Sequence, residues 1–489
     1  MRGVANRLQA DLDGLTCPVR PWIDPEAGLG YFEYFEGVGS DSDPLPARGT
    51  TLAQVSVSNV YGDLDDALAF TVHSKNTPLR GAHGATPIES DAAEIVWFTR
   101  FDDRDGDGIP GRGEVTLYRR VLLILPRYAL TGAIYTTTYS GAFGYNNALD
   151  ALLLHYRTSD ISLRVQPRVD ASTNVVTYSL QVNSLSDLTK RENRFGHPPS
   201  QPLWNTTSSS MVDGAFPHTL TRRLLVPRGT VLTTGTDGQP GFVGVDDNLD
   251  SPANPDDVWE TGWFGSDDVS NANLTTVAGA GSDVILSELL AFDVRAFDPT
   301  AEVRNNNGEA VVPGDPGWRN GTSFAPAARG AFVDLNYANP PGNGASLPTT
   351  NPNVDPWAIN DSRRWSYFSG LPAFRDSNSD GAWDSTEHFL GTSNRWWTHG
   401  TSYCTWSTHY ERDGIDQDVD GVVDQGTDGV DNAASGYPSG VNGVDDVGER
   451  ETSPPYPVPL RGIQVKIRVY EPDTRQLRQM TVVADFTPE

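Results

Sequence analysis

Asp103, Asp105 and Asp107 take alternate positions in the stretch FDDRDGDGIPGRGEVTLYRR, and Glu114 follows. An EF-hand loop binds calcium through oxygens at positions 1, 3, 5, 7, 9 and 12. Position 6 is a glycine for the sharp turn, position 7 gives a backbone carbonyl, and position 12 is a bidentate glutamate. Counting from Asp103 puts Gly108 at 6, Ile109 at 7, Gly111 at 9, where water can substitute, and Glu114 at 12. The pattern recurs in DSNSDGAWDSTE: Asp376, Asn378 and Asp380 fill 1, 3 and 5, Gly381 is at 6, Ala382 at 7, Asp384 at 9 and Glu387 at 12.

A third, imperfect loop lies in DGIDQDVDGVVDQGTDGVDN. Asp416, Asp418, Asp420, Gly421 and Asp424 fit, but position 12 is Thr427; Asp428, Asp431, Asp445, Asp446 or Glu449 could supply the missing carboxylate. The chemistry expected is structural Ca2+ binding, because the first loop is flanked by strand-like segments and not by the helices of a sensor. The alternative is an Asn/Asp/Gly hairpin tip solvated by water.

Other constellations carry less. NGTSFAPAARG and THGTSYC are similar to the serine and histidine segments of subtilisin-like proteases, but Ser323 precedes His399, the reverse of that family's order. No H-E-x-x-H occurs, so His388, His399 and His409 read as loop or partly buried residues. Paired acids such as Asp65 and Asp66 could serve glycoside hydrolysis, yet a chain this rich in aspartate does not single out one pair. Trp357, Trp365, Trp383, Trp396, Trp397 and Trp406 could stack on a glycan or protein ligand; core filling is the commoner use.

The elements that must position these residues are mainly strands. The 489 residues are 37% hydrophobic and include 12 Trp, 17 Tyr and 18 Phe, enough for an aromatic core. Gly 48 and Pro 35 make the chain turn-rich. A net charge of −28 excludes nucleic acid as a partner and suits a place where divalent cations are plentiful. Two cysteines, Cys17 and Cys404, rule out a disulfide framework; one long-range disulfide and two buried thiols both stay open. No apolar run is long enough to span a bilayer, and no signal peptide is present.

Val4, Leu8, Leu12 and Leu15 form one stripe of a short amphipathic helix over 1–16, which starts without an N-cap, like the back half of a longer helix. AEIVWFTR and EVTLYRRVLLILP should pair across the acidic loop, and ISLRVQPRV with VVTYSLQV makes a second hairpin. YNNALDALLLHYR reads as a short helix entering a strand, and SDLTKRENRF as a helix capped by Ser186. DVILSELLAFDVRAFDP ends in strand alternation. In the last segment Ile463, Val465, Ile467 and Val469 alternate with polar residues, which predicts a closing hairpin with one buried face.

Together RLQADLDGLTCPVRP, GDLDDALAFTVHS, AEIVWFTR with LYRRVLLILP, SDVILSELLAFDVRAFDP and the terminal LRGIQVKIRVYEPDTRQLRQMTVVADF resemble the pseudopilins. These are minor pilin-like subunits of type II secretion systems and their type IV pilus relatives, here in the enlarged-head, planctomycete type. The resemblance implies an α+β fold: a pilin-like N-terminal helix packed on an antiparallel β-sheet, elaborated by a large loop-rich Asp/Gly/Trp insertion. It divides the chain into the helix half at 1–16, a β-rich head at 17–299, a loop-rich calcium-binding insertion at 300–459 and a closing hairpin at 460–489. It also implies a non-enzymatic subunit, periplasmic or at the cell surface, with other pseudopilin subunits as partners. The family's basic leader, Gly/Phe cleavage site, fifth-position Glu and apolar helix half are missing, so the membrane enters only through a missing N-terminal helix half. A calcium-dependent adhesin or carbohydrate-binding protein is the alternative, and a secreted hydrolase the third reading.

Overall fold

The computed structural model describes residues 1–36, 62–64, 66–75, 77–101, 113–125, 137–140, 151–152, 155–156, 159–169, 176–195, 284–306, 308–313, 326–335, 402–414 and 458–486. Ala148, Ser172, Asp315, Asp424, Pro454 and Tyr456 are described singly between them.

Two antiparallel sheets share one hydrophobic core. In the first, the order is β10 (Val284–Leu286), β6 (Val115–Leu123), β5 (Ala92–Phe101), β2 (Ala67–His73), β1 (Phe32–Phe35) and β14 (Ser402–Cys404). In the second, β12 (Glu309–Val311) and β13 (Pro326–Val333) pair with the long β11 (Leu289–Asn306), which pairs with β15 (Gly462–Glu471) and through it β16 (Gln476–Asp485). Two smaller sheets join β3 (Leu79–His83) to β4 (Thr86–Ser90), and β7 (Tyr139–Ser140) to β9 (Val176–Val182) and β8 (Leu163–Val169).

The three expected hairpins form. β5 and β6 pair from Ala93↔Leu123 to Phe101↔Val115, β8 and β9 pair throughout, and β15 and β16 run from Gly462↔Asp485 to Glu471↔Gln476 without a break. Along β15 the residues Ile463, Val465, Ile467 and Val469 are buried, and the alternate ones are half-buried, as period-two burial requires. Strand β2 differs, for six consecutive residues are buried, so both of its faces are covered.

The pilin-like expectation is corrected here. The chain is β-rich, and its N-terminal helix α1 (Arg2–Leu12) is 11 residues long, about 16 Å at 1.5 Å per residue. The only other α-helix with described bounds is α2 (Leu185–Leu188). Ala148, Ala151, Leu152, His155 and Tyr156 are also helical, in the stretch expected to be a helix. Helix α1 packs on β16, with Leu8 and Leu12 buried and Val4 and Leu15 partly buried against the shared core. Its stripe is thereby used inside the molecule and not offered along a filament. A buried pairing ties the same helix to the first sheet: Asp11 accepts from Arg119 Nε on β6 at 2.7 Å, Arg119 Nη2 at 2.7 Å and Trp97 Nε1 on β5 at 3.0 Å. Among the described residues no helix is long and apolar enough to cross a membrane.

Helix α2 is capped two residues earlier than expected. Ser184 accepts from the Asp187 amide, and the Asp187 carboxylate accepts from the Ser184 amide, a reciprocal capping box.

One turn depends on a missing side chain. Gly30 has φ +71, and a Cβ there would lie 2.1 Å from Thr71 Oγ1. That hydroxyl binds Thr16 Oγ1 at 2.5 Å and accepts from the Tyr31 amide at 3.0 Å. Gly30→Ala is expected to cost about 2–4 kcal/mol through strain and loss of this node. Gly84, at φ +58 with open space around it, gives the control: Gly84→Ala should cost only about 1 kcal/mol of left-handed strain. Urea midpoints of the two variants check the difference.

Candidate metal centre

The register of the two central strands brings together acids that lie far apart in sequence. Strands β1 and β2 pair antiparallel with Phe35 opposite Ala67, so Glu36, just after β1, comes beside Asp66, just before β2. The segment 62–64 is laid along β11: the Gly62 amide donates to the Leu290 carbonyl at 2.8 Å and the Phe292 amide to the Asp63 carbonyl at 2.8 Å. This delivers Asp63. One carboxylate oxygen from each of Glu36, Asp63 and Asp66 lies within 4.8 Å of the others, and all three residues are buried.

The sheet junction supplies their orientation. The Val294 amide on β11 donates to Asp66 Oδ2 at 2.6 Å, and the Leu335 amide, just after β13, donates to Glu36 Oε2 at 2.9 Å. The Tyr34 hydroxyl sits between Glu36 Oε2 and the Val294 carbonyl. Burial, and then the charges of Asp66, Glu36 and Asp334, push the Tyr34 phenol well above its ordinary range, so it stays protonated. Both sheets thus contribute to one oxygen-lined point.

A second acidic group lies nearby with its own cations. Arg295 Nε meets Asp293 at 2.9 Å and Asp334 at 3.1 Å, Arg295 Nη1 is 3.5 Å from Asp315, and Lys466 Nζ is 3.2 Å from Asp293. Burial raises Asp334 to about 6 while Arg295 pulls the other way. This group is a built ion-pair network, and its role is to fasten β11, β13 and β15.

The EF-hand-like residues fall mostly elsewhere. Asp103, Asp105, Asp107 and Ile109 lie outside the described residues, as do Asp376, Asn378, Asp380, Ala382, Asp384, Glu387, Asp416, Asp418 and Asp420. Glu114 is buried at the root of the β5–β6 hairpin, after Gly113 at φ +81. A Cβ on Gly113 would come within 3.0 Å of Glu288 Oε1, so Glu288 stands against this root. Asp424 has φ 54, and its two carboxylate oxygens accept from the Gly414 amide at 3.2 and 3.0 Å, closing a loop. Glu114 and Asp424, the loop ligands among the described residues, do not belong to the buried cluster. Of the cluster, the sequence singled out only Asp66, and as part of a different pair; Asp65 is outside the described residues.

The remaining candidates resolve simply. Ser323, His388 and His399 lie outside the described residues, as do Trp357, Trp365, Trp383, Trp396 and Trp397. Trp406 is buried against Tyr410, with ring centroids 5.5 Å apart, and fills core. Burial, then Lys190, lowers His409 to about 4, so it is neutral at pH 7. Cys17 and Cys404 are free and buried, and burial pushes each thiol to about 12, which leaves them unreactive.

His155 makes the fold sensitive to acid. It is buried, 3.3 Å from the Ile161 carbonyl, and burial lowers it from 6.5 to about 3. The unfolded chain takes up this proton below about pH 6.5 and the folded chain does not, so stability is lost as pH falls from 6.5 towards 3. The expected slope is about 1.4 kcal/mol per pH unit below 6.5. Asp334, raised to about 6, works the other way over the same range, so the test is the difference: between pH 7.0 and 5.5 urea unfolding should show the parent chain losing about 1 kcal/mol more than His155→Gln.

Comparison with known protein families, with curated proteins and with solved structures finds no match to this chain.

Proposed function

We propose that this chain is a structural, non-enzymatic protein whose β-rich body is held by a divalent cation, calcium first among the candidates. The observation that carries the reading is the convergence of Glu36, Asp63 and Asp66, buried and within 4.8 Å of one another where the two sheets meet. Three carboxylates this close repel one another, and burial raises the cost of each charge. A cation among them reverses the sign of that term. Two oxygens on one calcium, each at about 2.4 Å, lie at most about 4.8 Å apart, so the spacing fits. Carboxylates are hard donors and favour calcium, magnesium or manganese over zinc or copper.

The cation would join β1, β2 and the segment 62–64 at the point where β11 crosses them. Its binding free energy then becomes folding free energy of the sheet junction. The EF-hand-like loops at 103–114, 376–387 and 416–427 extend the same reading to further calcium ions. Placement outside the cytoplasm, within an assembly of pseudopilin-like subunits, rests on the segment resemblance and the net charge of −28. Because the stripe of α1 faces its own core, contacts to sister subunits would use other surfaces.

Mass spectrometry of the metal content tests the reading directly. The purified chain should retain calcium through gel filtration, and Asp66→Asn with Glu36→Gln should lose at least one ion per chain. A parent chain carrying no divalent metal after purification in calcium would overturn it.

A further inference from the structure

Most of the sheet edges among the described residues are blunted. Strands β10, β12 and β14 have three residues each, β10 pairs with a register shift, and β13 opens on Pro326 and shifts register twice against β11. Short, bulged or proline-bearing edges are the usual guards against strand addition. Strand β16 has none of these three, and the helix that packs on it, α1, shares the core that takes its buried residues Val482 and Ala484. The strand is ten residues long, pairs with β15 without a shift, and contains no proline or lysine. Among the described residues no strand pairs with its far side.

The same strand carries two of the three exposed large apolar residues among those described, Leu477 at 55% and Val483 at 50% exposure. They are six positions apart, so period two puts both on one face, opposite the buried Val482 and Ala484. We propose that the β16 edge joins a second copy of this chain by antiparallel strand addition about a twofold axis through Met480. That register is self-complementary. Leu477 of each copy faces Val483 of the other, and Gln479 faces Thr481. Apolar meets apolar twice. Backbone hydrogen bonds along the strand supply affinity, and the paired side chains supply register.

The net charge of −28 opposes the approach of two copies, so screening must favour it. Sedimentation velocity in about 0.3 M salt, where the Debye length is roughly 5–6 Å, should show a monomer–dimer equilibrium stronger than at low salt. Leu477→Lys and Val483→Lys should each weaken it about tenfold or more, with unchanged melting because both side chains are exposed. A second arm fixes the register. In a Leu477→Cys, Val483→Cys double variant the two new thiols face each other across the axis, and oxidation should give a disulfide-linked dimer. In Leu477→Cys alone the equivalent sulfurs lie about 20 Å apart along the strands and should not link. A chain that stays monomeric at all concentrations overturns the proposal. So does a dimer that both lysine variants leave intact, or one that links through the single variant and not the double.

Discussion

Removing divalent cations with a chelator is expected to lower the melting temperature of this chain by about 4 °C. The figure follows from linkage: a ligand present at a thousandfold excess over its dissociation constant adds about 4 kcal/mol to folding, and the unfolding entropy of 489 residues is about 1 kcal/mol/K, so each kcal/mol moves the melting temperature by roughly 1 °C. Two terms act in the same direction once the ion leaves. The Glu36, Asp63 and Asp66 carboxylates lose their common partner, and their mutual repulsion returns within the sheet junction. The expected trace is a reversible downward shift restored by added calcium and only partly by magnesium, whose smaller shell demands near-octahedral geometry.

Substitution separates this centre from the loops. Asp66→Asn with Glu36→Gln removes two charges but keeps side-chain shape, so the doubly substituted chain should melt above the stripped parent and below the calcium-loaded parent. If the buried cluster is the main site, chelator should then have little further effect. A remaining shift would be assigned to the loops at 103–114, 376–387 and 416–427, and Asp105→Asn or Asp380→Asn would locate it. Superimposed melts of the parent with and without chelator, together with no bound metal, would remove the cation from the account.

The two kinds of acidic site differ in how far sequence alone can reach them. An EF-hand-like loop is local: its ligands alternate within twelve residues, so Asp103 to Glu114 is readable at sight. The buried cluster is made by strand register. Nothing in FEYFEG or YGDLDDALAF says that Phe35 will sit opposite Ala67, and only that pairing puts Glu36 beside Asp66. One signal was available. The run ALAFTV has no polar alternation, as a strand covered on both faces requires, and acids abutting such a strand are drawn inward with it.

Fold elements divide in the same way. The hairpins β5–β6, β8–β9 and β15–β16 were readable because their partners are near neighbours with period-two patterns. Strand β14 was not, since it has three residues and its partner β1 lies at the other end of the chain. The stripe on α1 was legible as a stripe, but what covers it was not. Four apolar residues at helical spacing state that something covers them, not whether it is a sister helix or the chain's own β16. The Asp11–Arg119 pairing, which ties the helix to β6 of the first sheet, spans more than a hundred residues and leaves no local trace.

The largest single-residue effect on stability is expected at Glu33. It is fully buried in β1 and receives Arg191 Nε at 2.9 Å, Arg191 Nη2 at 2.7 Å and Arg194 Nη1 at 2.9 Å. Both arginines follow α2, so this carboxylate fastens the 185–195 segment to the first sheet. Burial works against the charge on Arg194, but Glu33 leads the groups that outweigh it and hold the guanidinium protonated. Glu33→Ala would leave two buried guanidinium groups facing each other, at a cost of about 3–5 kcal/mol, because a buried pair broken on one side leaves an uncompensated charge. The two arginines are not equivalent. Arg194 also donates to the carbonyls of Leu188, Thr189 and Thr405 and lies 4.3 Å over the Tyr31 ring. Arg194→Met therefore orphans three buried acceptors as well as half of the ion pair, whereas Arg191→Met removes, among its contacts, the bonds to Glu33 and a long one to Ser402. Urea unfolding should rank Arg194→Met as more damaging than Arg191→Met, and Glu33→Gln should fall between Glu33→Ala and the parent. Adding Arg191→Met to Glu33→Ala should recover part of the loss, since it removes one of the two unpaired cations. Equal costs at the two arginines, or no recovery in the double variant, would show that packing and not charge fastens this segment.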